Sequence, residues 1–284
     1  MDNKQPILVI GGSGYIGQNL VKKSANKFHV SWTYYRNRRE GIPGNSFRLD
    51  IRDPRAVEDL IWEIKPYVIF HLAYDRKNLY ESIVIGTRNV LTAYKGLNTK
   101  FFFLSTDSVF DGEGSWYKEE DAPRPIFEYG RTKYDAEKTV LDDGGVVIRT
   151  SLVYGFKPFD PRIDELLRGL RTSRFSYAYF KDEYRCPIFV DDLCEALLEL
   201  TAIDPPQVLH LAGPERLSRY DFAVKFAESF GFDARKIPGG SLEGIGLVRP
   251  KDVSLSTLLA KSLLKTKLRA FTEVSGNKVS VQVV

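Results

Sequence analysis

Four consecutive apolar residues, Ile7 to Ile10, followed by a glycine-rich turn place the tightest constraint on how this chain folds. An apolar run without a polar break is typical of a strand buried on both faces, as central strands of parallel sheets are. Gly11, Gly14 and Gly17 stand three residues apart directly after it. These glycines suit a tight backbone bend, the close approach of a phosphate and close packing of a helix on the strand. The stretch therefore predicts a dinucleotide site at the N-terminus of a helix that begins near Tyr15.

The residues after this turn favour the dinucleotide interpretation over a plain glycine-rich turn. Residues 18–23 continue in a helical pattern and residues 28–35 indicate a second strand, which completes a βαβ unit. Further strands are predicted at residues 47–51, 67–73, 101–105, 145–150 and 207–212. Helices are predicted at about residues 78–94, 129–141 and 193–200, the last capped by Asp191 and Asp192. This alternation predicts an α/β fold with a doubly wound parallel sheet of the Rossmann type and right-handed crossovers.

The order of these elements predicts two lobes. Residues 1–154 form the predicted dinucleotide-binding domain, to which strands near residues 186–190 and 207–212 return. Residues 155–284 are predicted to form mostly a smaller C-terminal substrate-binding lobe, since residues 154–181 are rich in Arg, Phe and Tyr. Ser218 is expected to cap a helix of that lobe. The tail, residues 266–284, indicates no function.

Composition argues against several classes of function. The 284 residues carry a formal net charge of +4 with both signs mixed along the chain, so neither nucleic acid nor a membrane surface is an expected partner. No secretory signal and no apolar run of membrane-spanning length is recognised. Cys186 and Cys194 fit no disulfide framework, and His29, His71 and His210 are far apart, so no metal site is predicted. We expect a reducing, cytoplasmic location.

Three arginines lie just after the second predicted strand, where nicotinamide-binding folds distinguish NAD from NADP. A carboxylate at this place binds the ribose 2′-hydroxyl of NAD, whereas a cation accommodates the 2′-phosphate of NADP. The chain has Arg36, Arg38 and Arg39 there, and no acid before Glu40. Arginines pair with a phosphate that NAD lacks. The sequence therefore predicts NADP(H) as the cofactor, although a solvated basic loop would show the same pattern.

The carboxyl ends of the predicted strands supply the rest of the expected cofactor site, because ligands of such sheets bind outside these ends. Asp50 and Ile51 are expected near the adenine, and Ala73 is expected to pass close to the cofactor. The residues of the glycine turn, the basic loop and these strand ends that are expected to bind the cofactor are Gly11, Ser13, Gly14, Tyr15, Ile16, Gly17, Arg36, Arg38, Arg39, Asp50, Ile51, Leu72 and Ala73.

A tyrosine and a lysine follow the fifth predicted strand at a spacing that suits proton transfer. Tyr129 and Lys133 are four residues apart and share one face of the predicted helix. A lysine cation near a phenol lowers the phenol pKa from about 10 toward neutrality, which a general acid and base needs. The same spacing occurs in two further pairs, Tyr134 with Lys138 and Tyr177 with Lys181. Only the first pair comes soon after a strand that ends in Ser-Thr, and it is therefore the predicted catalytic pair.

Together these motifs resemble a known family. The glycine pattern, the string Ser-Thr-Asp-Ser-Val-Phe-Asp-Gly at residues 105–112 and the Tyr129/Lys133 pair resemble the extended short-chain dehydrogenases/reductases, above all their dTDP-4-dehydrorhamnose reductase branch. The resemblance continues through residues 149–155 and 210–215 and covers most of the chain up to about Leu255. The glycine and Tyr/Lys motifs identify only the superfamily, whereas the string after the fifth strand is more selective.

The resemblance implies an NADPH-dependent reductase of a nucleotide-linked 4-keto sugar. It implies that Thr106 hydrogen-bonds the substrate carbonyl oxygen and that Tyr129 delivers a proton to it. Lys133 would bind the nicotinamide ribose and lower the pKa of Tyr129, so Tyr129 and Lys133 would also contact the cofactor. A homodimer would be usual for the family.

Two departures from the family pattern bear on this assignment. Ile83 stands three residues before Gly86-Thr87, where many extended members have an asparagine that can relay protons. Residues 74–77, Tyr-Asp-Arg-Lys, replace the Ala-rich loop that is typical of rhamnose-forming reductases. Further along the chain, the candidates for binding a sugar-nucleotide diphosphate are Arg162, Arg185 and Arg249.

Two other functions remain compatible with the sequence. The regulatory beta subunit of methionine adenosyltransferase resembles the same branch, so a non-catalytic NADP-binding subunit is one alternative. A sugar-nucleotide epimerase or dehydratase is the other, but such enzymes tend to be longer and to hold NAD, against which the arginines at residues 36–39 argue. The complete set Thr106, Tyr129 and Lys133 favours the enzyme.

Overall fold

The computed structural model describes residues 4–246 and 248–276 of the chain. The strands are β1 (Pro6–Ile10), β2 (His29–Tyr34), β3 (Asn45–Arg48), β4 (Val68–His71), β5 (Lys100–Thr106), β6 (Val146–Thr150), β7 (Val153–Tyr154), β8 (Tyr179–Phe180), β9 (Tyr184–Arg185), β10 (Ile188–Phe189), β11 (Val208–Leu211), β12 (Leu217–Ser218) and β13 (Gly239–Gly240). The α-helices are α1 (Tyr15–Ser24), α2 (Pro54–Ile64), α3 (Gly86–Ala93), α4 (Glu128–Asp142), α5 (Pro161–Thr172), α6 (Val190–Leu200), α7 (Arg219–Ser229), α8 (Leu258–Leu263) and α9 (Phe271–Ser275).

The central element is a seven-stranded sheet in the order β11-β6-β5-β4-β1-β2-β3. Every neighbouring pair in it is parallel, so each connection crosses over through the helical layers. Strand order reverses at β1, which has β2 on one side and β4 on the other. The predicted doubly wound α/β fold is therefore confirmed, and its crevice lies beside the carboxyl end of β1.

The register of the central strands brings the predicted site residues to one edge. Ile10 of β1 pairs with His71 of β4, and His71 pairs with Phe103 of β5. The Leu72 backbone N–H also donates to the Ile10 carbonyl at 2.9 Å. Because the strands are parallel and in this register, the glycine turn, the loop after β4 and the end of β5 meet at the same edge of the sheet.

Apolar side chains cover both faces of this sheet, as expected of strands without a polar break. Ile7 and Val9 pack against α1 and α6 on one face, while Leu8 and Ile10 pack against α2, α3 and α4 on the other. A separate core lies in the C-terminal part, where aromatic side chains dominate. Its members include Tyr154, Phe156, Phe222, Phe226 and Phe271.

The strands near 186–190 and 207–212, which are predicted to return to the dinucleotide-binding domain, pair in two different ways. β11 joins the central sheet at its edge, next to β6. β10, however, pairs only with β7, in a two-stranded parallel sheet of its own. The short runs at residues 153–154 and 188–189 thus form a separate pair, and Val153 and Ile188 pack in the same core as β1 and α6. The division of the chain at residue 154 stays a prediction, and residues 277–284 of the predicted tail lie outside the described residues.

The helix predicted at 78–94 is present, with Tyr80–Ile85 as a π-helical turn that continues into α3 at Gly86. One helix prediction is corrected. The helix after residue 189 is not capped by Asp191 and Asp192, because α6 already begins at Val190. Asp192 instead accepts hydrogen bonds from Arg269 and is buried, so its carboxylate serves tertiary packing. Ser218, by contrast, caps α7 as predicted, accepting from the Asp221 backbone N–H at 2.9 Å.

No helix among residues 4–246 and 248–276 combines the length and apolarity needed to cross a membrane.

Candidate active site

The glycine turn after β1 has no room for side chains. Gly11 has φ +89°, and a Cβ there would lie 2.9 Å from the Ala73 backbone of the neighbouring strand end. A Cβ on Gly17 would lie only 2.3 Å from the Gly11 carbonyl oxygen, so α1 packs directly on the turn. Gly14 is the N-cap of α1 and offers no side-chain cap, which leaves the helix terminus open to an anion. This cradle fits the pyrophosphate of a dinucleotide.

Tyr15, the first residue of α1, connects the glycine turn to the C-terminal part of the chain. Its hydroxyl is buried without a hydrogen-bond partner among the described residues. It contacts Gly155, where a Cβ would lie 2.4 Å from the Tyr15 oxygen. Burial raises the pKa of Tyr15, and the nearby Asp160 carboxylate raises it further. The predicted role of Tyr15 in cofactor binding therefore rests on its place at the helix start, since its hydroxyl faces the segment after β7.

Arg36 leaves the end of β2 and reaches across the crevice. Its Nη2 lies 2.9 Å from Oδ2 of Asp75, in the loop after β4. Its guanidinium also lies 5.0 Å from the centre of the Tyr35 ring, and Arg52 lies 5.3 Å from the same centre. The two other arginines of the loop, at residues 38 and 39, are exposed. Sequence reasoning missed Asp75, Tyr35 and Arg52, because nothing in the linear spacing joins the ends of β2, β3 and β4.

Asp50 and Ile51, the strand-end residues expected near the adenine, are engaged by the protein itself. Both Asp50 oxygens accept from the Arg52 guanidinium, at 2.8 and 2.6 Å, and this pairing holds the pKa of Asp50 below its usual range. Ile51 is buried against Gly86, and its carbonyl accepts from Asn89 at 3.0 Å. Their contact with a cofactor stays a prediction.

The predicted catalytic residues converge where β5 ends. Thr106 is the last residue of β5, and its hydroxyl is near enough to Tyr129 to act on the pKa of that phenol. α4 carries Tyr129 in its first turn and Lys133 one turn later. Lys133 Nζ donates to the Leu104 carbonyl at 2.8 Å and lies 4.5 Å from the Phe103 ring centre. β5 and α4 thus bring together all three residues that the sequence singled out.

Tyr74 is an active-site residue that the sequence analysis noted only as a departure from the family. Its ring centre lies 5.5 Å from that of Tyr129, and Lys133 Nζ lies 5.5 Å from the same Tyr74 ring. It is 39% exposed, so it lines the crevice rather than the core. Tyr74 therefore forms a wall beside the two predicted catalytic side chains.

The expected lowering of the Tyr129 pKa by Lys133 is outweighed in this arrangement. Burial raises the pKa of Tyr129, Tyr74 and Asp107 raise it further, and Thr106 only partly opposes them. Burial lowers the pKa of Lys133 to about 7, against the opposing effect of Glu137. The reason is geometric: the lysine is directed to the Leu104 carbonyl and an aromatic ring, in a poorly solvated place. Tyr129 is thus held in its neutral, proton-bearing form.

A buried ion pair anchors the part of α4 that carries Lys133. Glu137, one turn after Lys133 on α4, has a side chain with no exposed area and lies 2.9 Å from Nη2 of Arg149 on β6. The Ser105 hydroxyl donates to the same carboxylate. These contacts anchor α4 to β5 and β6.

Several guanidinium groups of the C-terminal part of the chain pair with buried acids. Arg185 lies 3.6 Å from the buried Asp107 carboxylate and 3.0 Å from Glu183. Arg249 shares Glu183 at 3.4 Å, whereas Arg162 is held by Asp160 at 2.7 Å. The predicted candidates Arg185 and Arg249 therefore meet at one acid.

Arg219, which the sequence analysis missed, belongs to the same group. Burial and the charges of Arg162 and Arg185 lower the pKa of Arg219. Arg162, Arg219 and Tyr179 line one small cavity. Arg219 follows the predicted cap Ser218 directly, and this position is the signal that could have identified it.

Among residues 4–246 and 248–276, no group of three or more His, Cys, Asp and Glu side chains is placed to hold a metal ion. Cys186 and Cys194 are buried free thiols.

Comparison with known proteins finds chains similar to this one over most of its length. A relative from Xenopus laevis, methionine adenosyltransferase 2 subunit beta, is 28% identical over 264 residues, which is 84% of this chain and 76% of that protein. A dTDP-4-keto-6-deoxy-D-glucose reductase from Streptomyces niveus is 27% identical over 262 residues, covering 86% of each.

Solved structures with a similar fold are found as well. A hypothetical dTDP-4-dehydrorhamnose reductase from Sulfolobus tokodaii superposes with a TM-score of 0.82 at 28% identity, covering 95% of this chain and 98% of that one. The dTDP-4-dehydrorhamnose reductase of Bacillus anthracis, solved in complex with NADP, superposes with a TM-score of 0.83 at 24% identity, covering 96% and 98%.

The family model described as RmlD substrate binding domain matches residues 5–280, nearly the whole chain. The resemblance stated from the glycine turn, the string after β5 and the Tyr129/Lys133 pair is thereby confirmed. The chain belongs to the RmlD substrate binding domain family.

Proposed function

We propose that this protein is an NADPH-dependent reductase of a nucleotide-linked 4-keto sugar. The observation that carries the proposal is the convergence of Thr106, Tyr129 and Lys133 at the carboxyl end of β5, beside a glycine cradle. Relatives with the same fold include reductases of dTDP-linked keto sugars. The same fold without a proton donor at the crevice would serve only to bind a nucleotide.

The chemistry follows from the protonation states of these side chains. Bound NADPH supplies the hydride that reduces the carbonyl carbon. The Thr106 hydroxyl donates a hydrogen bond to the carbonyl oxygen, and Tyr129 gives that oxygen its phenolic proton, so that the product is the alcohol. Tyr129 is suited to this as an acid, because its raised pKa keeps the proton in place until negative charge develops on the substrate. Lys133, one turn further along α4, would orient the nicotinamide ribose.

The arginines of the C-terminal part of the chain support an anionic substrate. Arg162, Arg185 and Arg219 lie close enough together for the first and second to lower the pKa of the third. A diphosphate would relieve this repulsion and form bidentate hydrogen bonds with guanidinium groups. Arg36, which leaves the end of β2, supports NADP(H) rather than NAD(H) as the cofactor.

The test compares the turnover of wild type with that of a variant that lacks the Tyr129 hydroxyl. Purified protein is mixed with NADPH and a panel of 4-keto nucleotide sugars, and the absorbance of the reduced cofactor is followed. We expect Tyr129→Phe to lose at least about a hundredfold in kcat while it still binds NADPH. Tyr134→Phe is the matched control, because Tyr134 lies on the same helix with Lys138 over its ring, 4.7 Å away. Equal turnover by wild type and Tyr129→Phe would contradict the proposal.

A non-catalytic NADP-binding subunit is the second candidate, and a specific observation favours it. The Xenopus laevis relative, named as a subunit of methionine adenosyltransferase, matches 84% of this chain, and burial raises the pKa of Tyr129 rather than lowering it toward neutrality. Tight NADPH binding without turnover of any sugar, together with co-purification of a methionine adenosyltransferase, would establish this alternative.

A further inference from the structure

We infer that Asp75 sets the cofactor preference of this protein, by competing with the 2′-phosphate of NADP(H) for the Arg36 guanidinium. The inference rests on the proposed function only as far as nicotinamide cofactor binding. It concerns the loop after β4, at residues 74–77, where the chain departs from its family.

Asp75 is the fixed partner of the pair, and Arg36 is the movable one. The Asp75 side chain is 17% exposed, whereas that of Arg36 is 55% exposed. The Asp75 carboxylate accepts from the Lys77 backbone N–H at 3.1 Å and from Asn78 Nδ2 at 3.2 Å. Its own N–H donates to the Ser82 hydroxyl at 2.9 Å, so the π-helical turn holds this loop in place. The long arginine side chain is therefore the group that adapts when a ligand binds.

The neighbouring cation cannot easily substitute for Arg36. Arg52 donates through Nε and Nη2 to the Asp50 carboxylate and through Nη2 to the Tyr35 hydroxyl, at 2.8, 2.6 and 2.6 Å. Tyr35 lies between the two guanidinium groups. A phosphate at this edge of the crevice thus meets Arg36 first, and Arg36 is already paired.

The competition affects only a phosphorylated ribose. Hydrogen bonds from Lys77 and Asn78 hold the pKa of Asp75 below its usual range, so the carboxylate is charged at neutral pH. A 2′-phosphate that pairs with Arg36 must share it with this carboxylate and is repelled by it. NAD(H) has a neutral hydroxyl at the same place and meets no such repulsion. Asp75 therefore weakens binding of NADP(H) without weakening that of NAD(H).

The experiment compares dissociation constants of wild type and Asp75→Asn for NADPH and NADH, measured by calorimetry on the full-length protein. Asparagine keeps the size of the side chain and an oxygen that accepts from Lys77. We expect NADPH to bind roughly fivefold more tightly to Asp75→Asn, because a charge that competes for the exposed Arg36 is removed, with NADH binding unchanged within about twofold. Adenosine 2′-monophosphate should also bind more tightly to Asp75→Asn than to wild type, whereas the affinity for adenosine 5′-monophosphate should not change.

Two controls isolate the interaction. Asp59→Asn removes the same charge from the exposed face of α2 and should change neither constant. In an Arg36→Gln background, Asp75→Asn should no longer favour NADPH, because the shared cation is gone. Thermal melts check that each variant folds.

Other results would overturn the inference. If Asp75→Asn binds NADPH and NADH more weakly than wild type does, and by the same factor, Asp75 only supports the loop. If wild type binds both cofactors and Asp75→Asn leaves their ratio unchanged, the inference fails while the proposed function stands. A wild-type protein that binds neither cofactor overturns both.

Discussion

The Glu137–Arg149 pair shows how strongly one residue can determine this site. The two side chains are 0% and 4% exposed, so neither charge is solvated by water. A buried charge is tolerated only with a partner and with hydrogen bonds, which Ser105 and Arg149 supply here. The pair also lies one helical turn from Lys133, whose pKa Glu137 raises against the effect of burial.

Removing the carboxylate charge should therefore destabilise the fold. In Glu137→Gln the Arg149 charge stays buried without a counterion, and we expect a loss of about 3 to 5 kcal/mol in the free energy of unfolding. Urea unfolding followed by circular dichroism measures it. Asp135→Asn is the control, because the Asp135–Lys138 pair on the same helix is roughly half exposed and should contribute less than about 1 kcal/mol. Equal losses in the two variants would contradict the argument.

At the scale of the element, α1 depends on how closely it approaches the turn before it. Gly17 lies in the first turn of the helix, buried against the Gly11 carbonyl and the Gly12 backbone. This approach directs the helix terminus at the crevice, where its N–H groups and dipole can bind an anion. The helix and the glycine turn thus act as one unit.

A methyl group added at Gly17 should force α1 away from the glycine turn. In Gly17→Ala the Cβ would lie 2.3 Å from the Gly11 oxygen, so the backbone must shift. We expect a loss of about 1 to 3 kcal/mol in stability and a loss of NADPH affinity of at least about tenfold. Calorimetric titration and urea unfolding measure the two effects. Lys22→Ala, an exposed change on the same helix, should leave both within experimental error, and unchanged NADPH binding by Gly17→Ala would refute this account of the turn.

For the whole molecule, two buried histidines couple folding to pH. Burial lowers the pKa of His71 to about 3, with Lys133 adding to the effect, and burial and Arg149 lower that of His210 to about 3. Both lie in the central sheet, on β4 and β11. Each is therefore neutral in the folded protein, while the unfolded chain binds a proton below about pH 6.5.

The direction of the pH dependence follows from these protonation states. Below about pH 6.5 the unfolded state binds more protons than the folded one, so stability falls as the pH drops toward the folded pKa. Each histidine contributes a loss of about 1.4 kcal/mol per pH unit in that range. We expect His210→Leu to reduce the slope of unfolding free energy against pH by that amount. His29→Gln, on an exposed side chain, is the control, and a slope unaltered by His210→Leu would show that His210 titrates in the fold.

Much of this architecture was predictable because its signals are local. Uninterrupted apolar runs identify buried parallel strands, and glycines at fixed spacing identify the turn that α1 packs on. Tyr129 and Lys133 were predicted in a similar way, from their spacing and their place after a strand, whereas the role of Thr106 came from the family resemblance. The π-helical turn at Tyr80–Ile85 was not found, because hydrophobic periodicity does not distinguish it from an α-helix.

The linear pattern was therefore sufficient for the sheet and its crevice, because backbone conformation and burial produce a periodic pattern of apolar residues in the chain. The partners of the predicted site residues were decided only by folding. Asp75 meets Arg36 from 39 residues away, and Lys133 turns to the Leu104 carbonyl instead of toward Tyr129. Such contacts depend on distances between elements and on how much water burial removes, and neither quantity is encoded in local spacing.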